Sequence, residues 1–456
     1  MIALAVVAVC LTSLLPAASS PISRGDHVSG RSIPRPAPPA SRLTADSLPT
    51  ITLADALQRS VQLNPDYVRA LGAVAEADWI RKASRLAFFI PAVTANIDLT
   101  KYSVPFFNLG TGAPVNTSVT ATLAARYEIF SIRKFTELGR SQAELEFATA
   151  TEVQRRFAAA LLTESAYYAA LADEELARVA RDRASRAEQQ LVVARARVQT
   201  GAAAPSDSLI VRLELLRARV TLLRDESALR VSRLELGRRV GVAGAVVPLP
   251  LDSAPAEALP LALDAAVAQA LEQGPEYRAA RARERAADKD LSGKRGGYLP
   301  TLTLDAAHVR FDSKFFPSAV NVSSLTFTLA LPIWDNGRRE LSIIQARATR
   351  DVARAVRSDL ELAAQREVTE AYDGFETARA ESGLALESRA VAIESYRVQE
   401  ARYRAGATTV LELLQAQNDL SQAEATLVQS RFTARLALAR LEAILGTRFN
   451  SSGGPS

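Results

Sequence analysis

The sequence predicts a mixed α and β membrane protein: a few strands with one apolar face, joined to much longer helical hairpins, with the whole plan written twice. Three observations carry this. Five segments recur in the same order at an offset near 205–210 residues. Four stretches alternate apolar residues with small polar ones. Two further stretches of nearly 70 residues run without a proline.

The opening MIALAVVAVCLTSLLPAASS has a short apolar core followed by small residues, and reads as a signal peptide over 1–20, cleaved near Ala18 to Ser20. No basic residue precedes its core, which departs from the usual pattern. Cys10, the only cysteine, lies in this leader, so the mature chain forms no internal disulfide. Val9 stands before it, where a lipidation signal has a small residue. Residues 21–50 are rich in Pro and Ser and read as an extended tether. Beyond residue 20 no apolar run reaches the ~18–20 residues of a membrane helix. The chain is therefore expected to be exported without a helical membrane span.

Internal repetition organises the remainder. LADALQRSVQLNPDYVRA matches ALDAAVAQALEQGPEYRAA, pairing Pro65 with Pro275. FFIPAVTANIDLT matches GGYLPTLTLDAAH, pairing Pro91 with Pro300, and YEIFSIRKF matches LPIWDNGRR, pairing Phe130 with Trp334. ARVQTG matches ARYRAG through Gly201 and Gly406, and RRVGV resembles AILGT through Gly241 and Gly446. These matches divide the chain into a first repeat over 51–241, a connector over 242–260, a second repeat over 261–446 and a tail over 447–456.

Each repeat opens with a helical pattern, over 53–87 and again over 261–294. Period-two stretches follow. Val93, Ala95, Ile97 and Leu99 alternate with Thr94, Asn96, Asp98 and Thr100, and Val119, Ala121, Leu123 and Ala125 alternate with Ser118, Thr120, Thr122 and Ala124. The second repeat offers Leu302, Leu304 and Ala306, then Leu325, Phe327, Leu329 and Leu331. Such strands are half-buried, and a single one would fit a soluble core better. Here the polar face is expected to be Thr, Asn, Ser and Asp in all four, each long enough for the ~9–11 residues of a membrane strand. Tyr102, Phe106, Phe107, Tyr127, Phe130, Phe311, Phe315, Phe316 and Trp334 sit near strand ends and in loops, as interfacial aromatics do. Four strands leave two unpaired edges, which hydrocarbon does not tolerate, so closure requires other chains. Three copies would supply about twelve strands, and two copies remain open on this argument alone.

The helical pattern then resumes over 132–199, roughly 100 Å at 1.5 Å per residue, and again over 338–403 and 410–445. Leu209, Leu213, Leu216, Val220 and Leu223 on the first return helix keep a 4-3-4-3 spacing, a coiled-coil seam. Gly201 and Gly406 mark the far tips, where a left-handed residue ends one helix before the next begins. Ser206 or Asp207 is expected to cap the first return helix, and Thr408 or Thr409 the second.

The stretches ALQRSVQLNPDYVRA, LALPIWDNGRRE and ARYRAGATTVLELLQAQNDLSQAEATLV, in this order and duplicated, resemble the TolC-type outer membrane efflux proteins from about residue 53 to 446. The resemblance implies a homotrimer in outer membrane lipid, with a twelve-stranded β-barrel, a periplasmic α-helical barrel and an equatorial collar that would include the connector and the tail. It implies passive export of small molecules with a periplasmic adaptor and an inner-membrane RND or ABC transporter; the alternative is an exit duct for type I protein secretion with an ABC transporter. Adaptor docking would fall on Gly201, Ala202 and Ala203 with Gly406, Ala407 and Thr408. A tyrosine–aspartate contact that helps close the tunnel would map to Tyr403 and Asp207. The family's arginine in the second tip aligns with Thr408, so that part of the latch is absent. Carboxylates ringing the entrance would map to Glu412 and Gln415, of which only Glu412 is charged.

Other classes find little support. The formal charge of +5 comes from 55 basic and 50 acidic side chains interspersed along helices, with no basic patch carrying aromatics, so nucleic-acid binding is not expected. No nucleophile elbow, phosphate loop or cluster at metal-ligand spacing occurs, so the expectation is no catalysis, no cofactor and no metal. His27 and His308 are far apart in sequence, and His308 reads as an ordinary strand residue.

Overall fold

The computed structural model describes residues 48–108, 112–250, 258–313 and 320–449. The expected signal peptide, nearly all of the tether, Phe315 and Phe316 lie outside the described residues. In chain order the elements are β1 (Thr50–Ile51), α1 (Leu53–Leu63), α2 (Pro65–Leu86), β2 (Ala92–Asn108), β3 (Ala113–Phe130), α3 (Ile132–Gln199) and α4 (Pro205–Arg239). There follow β4 (Val247–Pro248), α5 (Leu263–Gln273), α6 (Pro275–Arg295), β5 (Thr301–Asp312), β6 (Val320–Ala330), α7 (Arg338–Arg404) and α8 (Val410–Leu445).

The opening helix of each repeat is not continuous, contrary to expectation. Proline at 65 and 275 has no N–H to donate and restricts the residue before it to extended backbone. Asn64 and Gly274 accordingly end one helix and begin the next, and the Asn64 side chain accepts from the N–H groups of Asp66 and Tyr67.

The large sheet runs β2-β3-β5-β6, antiparallel throughout, with β2 and β6 as its edges. Register puts Val93, Ala125, Ala306 and Leu325 on one rung and Ile97, Ala121, Arg310 and Asn321 on another. The apolar face is therefore continuous across four strands at the helix end, but it changes character on the upper part of β5 and β6. There His308, Arg310, Asp312, Ser323 and Asn321 share a face with the leucines, while Val309, Phe311 and Val322 lie on the threonine face. The expected uniform polar face thus fails on those rungs. An apolar band is only ~25 Å tall, so alternation is required only within it. The first hairpin extends further than its membrane minimum, with 17 and 18 residues in β2 and β3. Tyr102, Phe106 and Phe107 consequently lie within β2 around an irregularity between Lys101 and Phe106, rather than in a loop. Tyr127 and Phe130 close the opposite end of β3, and exposed Trp334 follows β6.

The helices form a wall of order α4-α3-α8-α7, because α3 packs on both α4 and α8, and α8 packs on α7. Alanine makes this possible at close range: Ala187, Ala194 and Ala218 are fully buried with Val211, Leu215, Val410 and Leu413. The predicted leucine seam is not the surface that closes this hairpin. Leu209, Leu213, Leu216, Val220 and Leu223 are all 48–67% exposed, while Val211, Leu215 and Ala218 make the internal contact. The seam lies along the free side of α4, because alternative buried positions on that helix match the alanine face of α3 better.

Midway along α3 a second core ties the connector to the wall. The parallel pair β1–β4 sets Thr50 opposite Val247, and the Tyr167 hydroxyl donates to the carbonyl of Leu249 at 2.7 Å. Tyr167 is fully buried with Ile51, Leu171, Leu236 and Val246, and burial pushes its hydroxyl up to about 12.

Candidate functional site at the hairpin tips

Both tips are built the same way. Gly201 has φ +74° and Gly406 has φ +75°, the left-handed region that costs a side-chain-bearing residue about 1–2 kcal/mol. The Ala202 N–H donates to the Arg197 carbonyl, and the Ala407 N–H donates to the Arg402 carbonyl, each at 2.8 Å. Six-residue reversals of this kind satisfy the last carbonyls of a helix while turning the chain.

The returning helices start differently. Thr409 caps α8, its hydroxyl accepting from the Glu412 N–H at 3.3 Å, and Thr408 donates its own hydroxyl to the Glu412 carboxylate. α4 instead begins at Pro205 after Ala204, with no side-chain cap. Neither Ser206 nor Asp207 caps it, because proline at the first helical position moves the start upstream of both. Asp207 sits in the first turn, where its charge meets the positive helix end.

Tyr403 is buried, 3% exposed, and its hydroxyl makes no hydrogen bond to Asp207. Its partner is Arg197 of α3, which lies over the ring and donates to the Tyr403 backbone carbonyl. Burial pushes the Tyr403 hydroxyl up, the Arg197 charge opposes this, and the Asp207 charge reinforces it. Asp207 is thus near enough to be felt, while the contact that fastens the tips comes from an arginine in the first hairpin.

Arg197 ends a row of polar side chains on α3 that cross to neighbouring helices. Arg183 donates to Glu214 of α4 and at 2.7 Å to Asn418 of α8, Arg186 meets Glu424 of α8 at 3.1 Å, and Gln190 donates to Tyr396 of α7 at 3.1 Å. Other arginines also bridge helices, as Arg181 does to Glu226 and Arg233 to Glu174, while Arg238 and Arg239 pair within their own helix with Glu235.

Glu412 and Gln415 are both exposed on α8, and they begin a longer stripe. Glu412, Gln415, Asp419, Gln422, Thr426 and Gln429 recur at 3-4 spacing, all exposed and all polar. The Gln415 amide donates to Asp419 at 2.8 Å, so the residue without a charge leans on a carboxylate one turn further along. Sequence reasoning named the first two and missed Asp419 and Arg197. The stripe was visible as polar 3-4 spacing; Arg197 carried no signal, being one arginine among many.

Residues 55–242 and 266–447 match the profile of the family described as outer membrane efflux protein. The chain belongs to that family. Among its relatives, the toluene efflux pump outer membrane protein TtgF of Pseudomonas putida is 24% identical over 402 residues, covering 85% of this chain and 80% of that one. Protein CyaE of Bordetella pertussis is 28% identical over 413 residues, covering 88% and 84%. The crystal structure of the Campylobacter jejuni CmeC outer membrane channel shares the fold, with a TM-score of 0.74, 13% identity and coverage of 96% and 95%. This efflux protein is accordingly an outer membrane protein that shares its fold with an outer membrane channel.

Proposed function

We propose that the chain is the passive outer membrane conduit of a tripartite efflux assembly, carrying small molecules delivered by an inner-membrane pump through a periplasmic adaptor. The observation that carries this reading is a matched pair of free edges. The sheet ends in β2 and β6, and the helical wall ends in α4 and α7. In each layer one edge belongs to the first repeat and the other to the second. A head-to-tail joint between copies, β6 to β2 and α7 to α4, buries both edges at once and generates a ring.

The leucine seam of α4 supports that joint. Leu209, Leu213, Leu216, Val220 and Leu223 stand exposed along it, and α7 offers exposed Val391, Leu384 and Val398. In keeping with the resemblance to TolC-type proteins we take the count as three, which would give a twelve-stranded barrel. In the ring the polar stripe from Glu412 faces the bore, and three Glu412 carboxylates favour cations. The tips, from Gly201 to Ala203 and from Gly406 to Thr408, meet the adaptor, and docking parts the Arg197–Tyr403 contact. Energy comes from the pump, since the conduit has only to open. Relatives named as efflux pump components support small-molecule export over protein secretion.

Native mass spectrometry of the detergent-extracted protein tests the assembly: a trimer is expected, and a monomer would overturn the reading. Planar-bilayer recording of the same sample is expected to show a small, steady conductance.

A further inference from the structure

A second concentration of unpaired polar chemistry lies where the sheet meets the helices. A cavity of about 530 Å³ is lined there by Glu128, Ser131, Arg133, Leu299 and Leu331, with glycine backbone on one side. The glycines bring the elements together: a Cβ on Gly296 would collide with Ile132, and one on Gly293 would lie 2.8 Å from the Thr136 hydroxyl. The end of α6 is therefore pressed against the start of α3, and the cavity opens beside that start.

The start of α3 is unusual for a helix of 68 residues. Its cap, Ser131, makes no side-chain hydrogen bond, and its first turn holds no acidic residue. Arg133 and Lys134 stand there instead, adding charge to an end that is already positive. Ser131 is 2% exposed, lines the cavity, and has no hydrogen-bond partner among the described residues. Its hydroxyl oxygen is not sealed from solvent and is open to whatever fills the cavity.

Of the charged side chains here, two carry no hydrogen bond of their own, although the Arg133 charge also acts on Glu137. Lys134 donates to the Glu128 backbone carbonyl at 2.8 Å and lies 4.5 Å from the Tyr127 ring centre, and Glu137 is held by Arg140. The Glu128 carboxylate and the Arg133 guanidinium have neither a hydrogen bond nor a salt bridge among the described residues, although both line this cavity and the smaller groove beside it. The lining thus combines a cation and an idle hydroxyl with a carboxylate and apolar side chains.

We propose that this cavity is a transit site for zwitterionic amphiphiles. The anionic group sits at Ser131 and Arg133 over the α3 terminus, the ammonium at Glu128, and the apolar body against Leu299 and Leu331. The proposal rests on the conduit reading for what the cavity faces. Register sets Glu128 opposite Thr303 and Thr301 opposite Ala330, on the threonine face of the sheet, which is the water-filled side of a barrel. A phospholipid headgroup has the same zwitterionic chemistry; the site is assigned to cargo because Glu128 and Thr301 lie on the threonine face, although Leu331 continues the leucine face.

The test uses the intact oligomer in nanodiscs of phosphatidylglycerol, with the zwitterionic quinolone norfloxacin read by fluorescence anisotropy. Saturable binding is expected, weakened about tenfold by Glu128→Gln and by Arg133→Gln, the value of one charged hydrogen bond. Glu128→Asp and Arg133→Lys should retain most of it. Nalidixic acid, which lacks the ammonium, should be indifferent to Glu128→Gln. Absence of saturable binding, or binding indifferent to both neutral variants, overturns the proposal. Displacement of norfloxacin by adding phosphatidylethanolamine to the discs reassigns the site to lipid and overturns the cargo assignment. Conductance is recorded on the same preparations. A conducting wild type that binds nothing sinks only the transit site, whereas a non-conducting wild-type oligomer sinks the conduit reading.

Discussion

The guanidinium of Arg197 lies 4.6 Å from the centre of the Tyr403 ring and donates to that residue's backbone carbonyl at 2.5 Å. A second nitrogen reaches the Ala202 carbonyl at 3.3 Å, so one side chain fastens the last turn of α7 to the reversal that follows α3. The two repeats are thereby joined at their tips by a cation–π contact and one hydrogen bond, with a second bond holding Arg197 to its own reversal, at a point where Thr408 cannot supply a charge.

Removing that fastening should loosen the tips. Arg197→Ala loses one cation–π contact, worth ~0.5–2 kcal/mol, and a charged hydrogen bond of ~1.5–3 kcal/mol per protomer. Single-channel conductance in a planar bilayer is expected to rise severalfold. Arg197→Lys should fall between, since a lysine keeps the charge but not the planar fork. Unchanged conductance in the alanine variant would remove Arg197 from the closing contact.

Ion preference should follow the polar stripe of α8. Glu412→Gln is expected to halve the cation preference or more, read from the reversal potential across a salt gradient. Asp419→Asn should add to the loss, because Gln415 already leans on that carboxylate. If Asp419→Asn changes nothing while Glu412→Gln does, the bore narrows only at the first position.

Assembly should depend on the exposed leucines of α4. Leu216→Glu places a charge on a residue 51% exposed in the single chain, so the isolated fold has little to lose. At a joint between copies the same charge is buried unpaired, a cost of several kcal/mol. Native mass spectrometry should show monomer replacing oligomer, while helix content by circular dichroism is retained.

Gln417 presents the opposite case. It is fully buried in α8, and among the described residues neither its amide nitrogen nor its carbonyl oxygen finds a partner. Gln417→Leu removes both orphans in a similar volume, and a gain of ~1–3 kcal/mol is expected. A higher thermal midpoint by circular dichroism would confirm it, and a lower one would show that the amide is used.

A pH dependence follows from Glu164, 3% exposed on α3. Burial raises its pKa above the ordinary 4.5, the Arg448 charge pulls it down, and Glu442 adds to the rise. Its folded pKa exceeds the unfolded one, so the folded chain binds this proton more tightly. Its contribution to stability is fully present below about 4.5 and is lost as pH rises through the folded value. Glu164→Gln should flatten stability against pH between about 4.5 and the folded value in urea titrations. An unaltered slope would acquit this carboxylate.

Much of the architecture is local chemistry and could be read directly. A proline-free run with helix-forming residues ends where glycine permits a left-handed turn, so the expected limits 132–199 and 410–445 coincide with α3 and α8. Strand alternation likewise identified the lower rungs of the sheet, because period two assigns a face without reference to any neighbour. Packing decided the rest. Whether Leu213 or Leu215 faces α3 depends on the alanine surface opposite, and both choices satisfy helical periodicity. Tyr403 meets Arg197 rather than Asp207 because side chains 206 residues apart are brought together only when both hairpins stand in one wall. The cavity beside Ser131 exists only because two glycines of the second repeat press against a helix of the first.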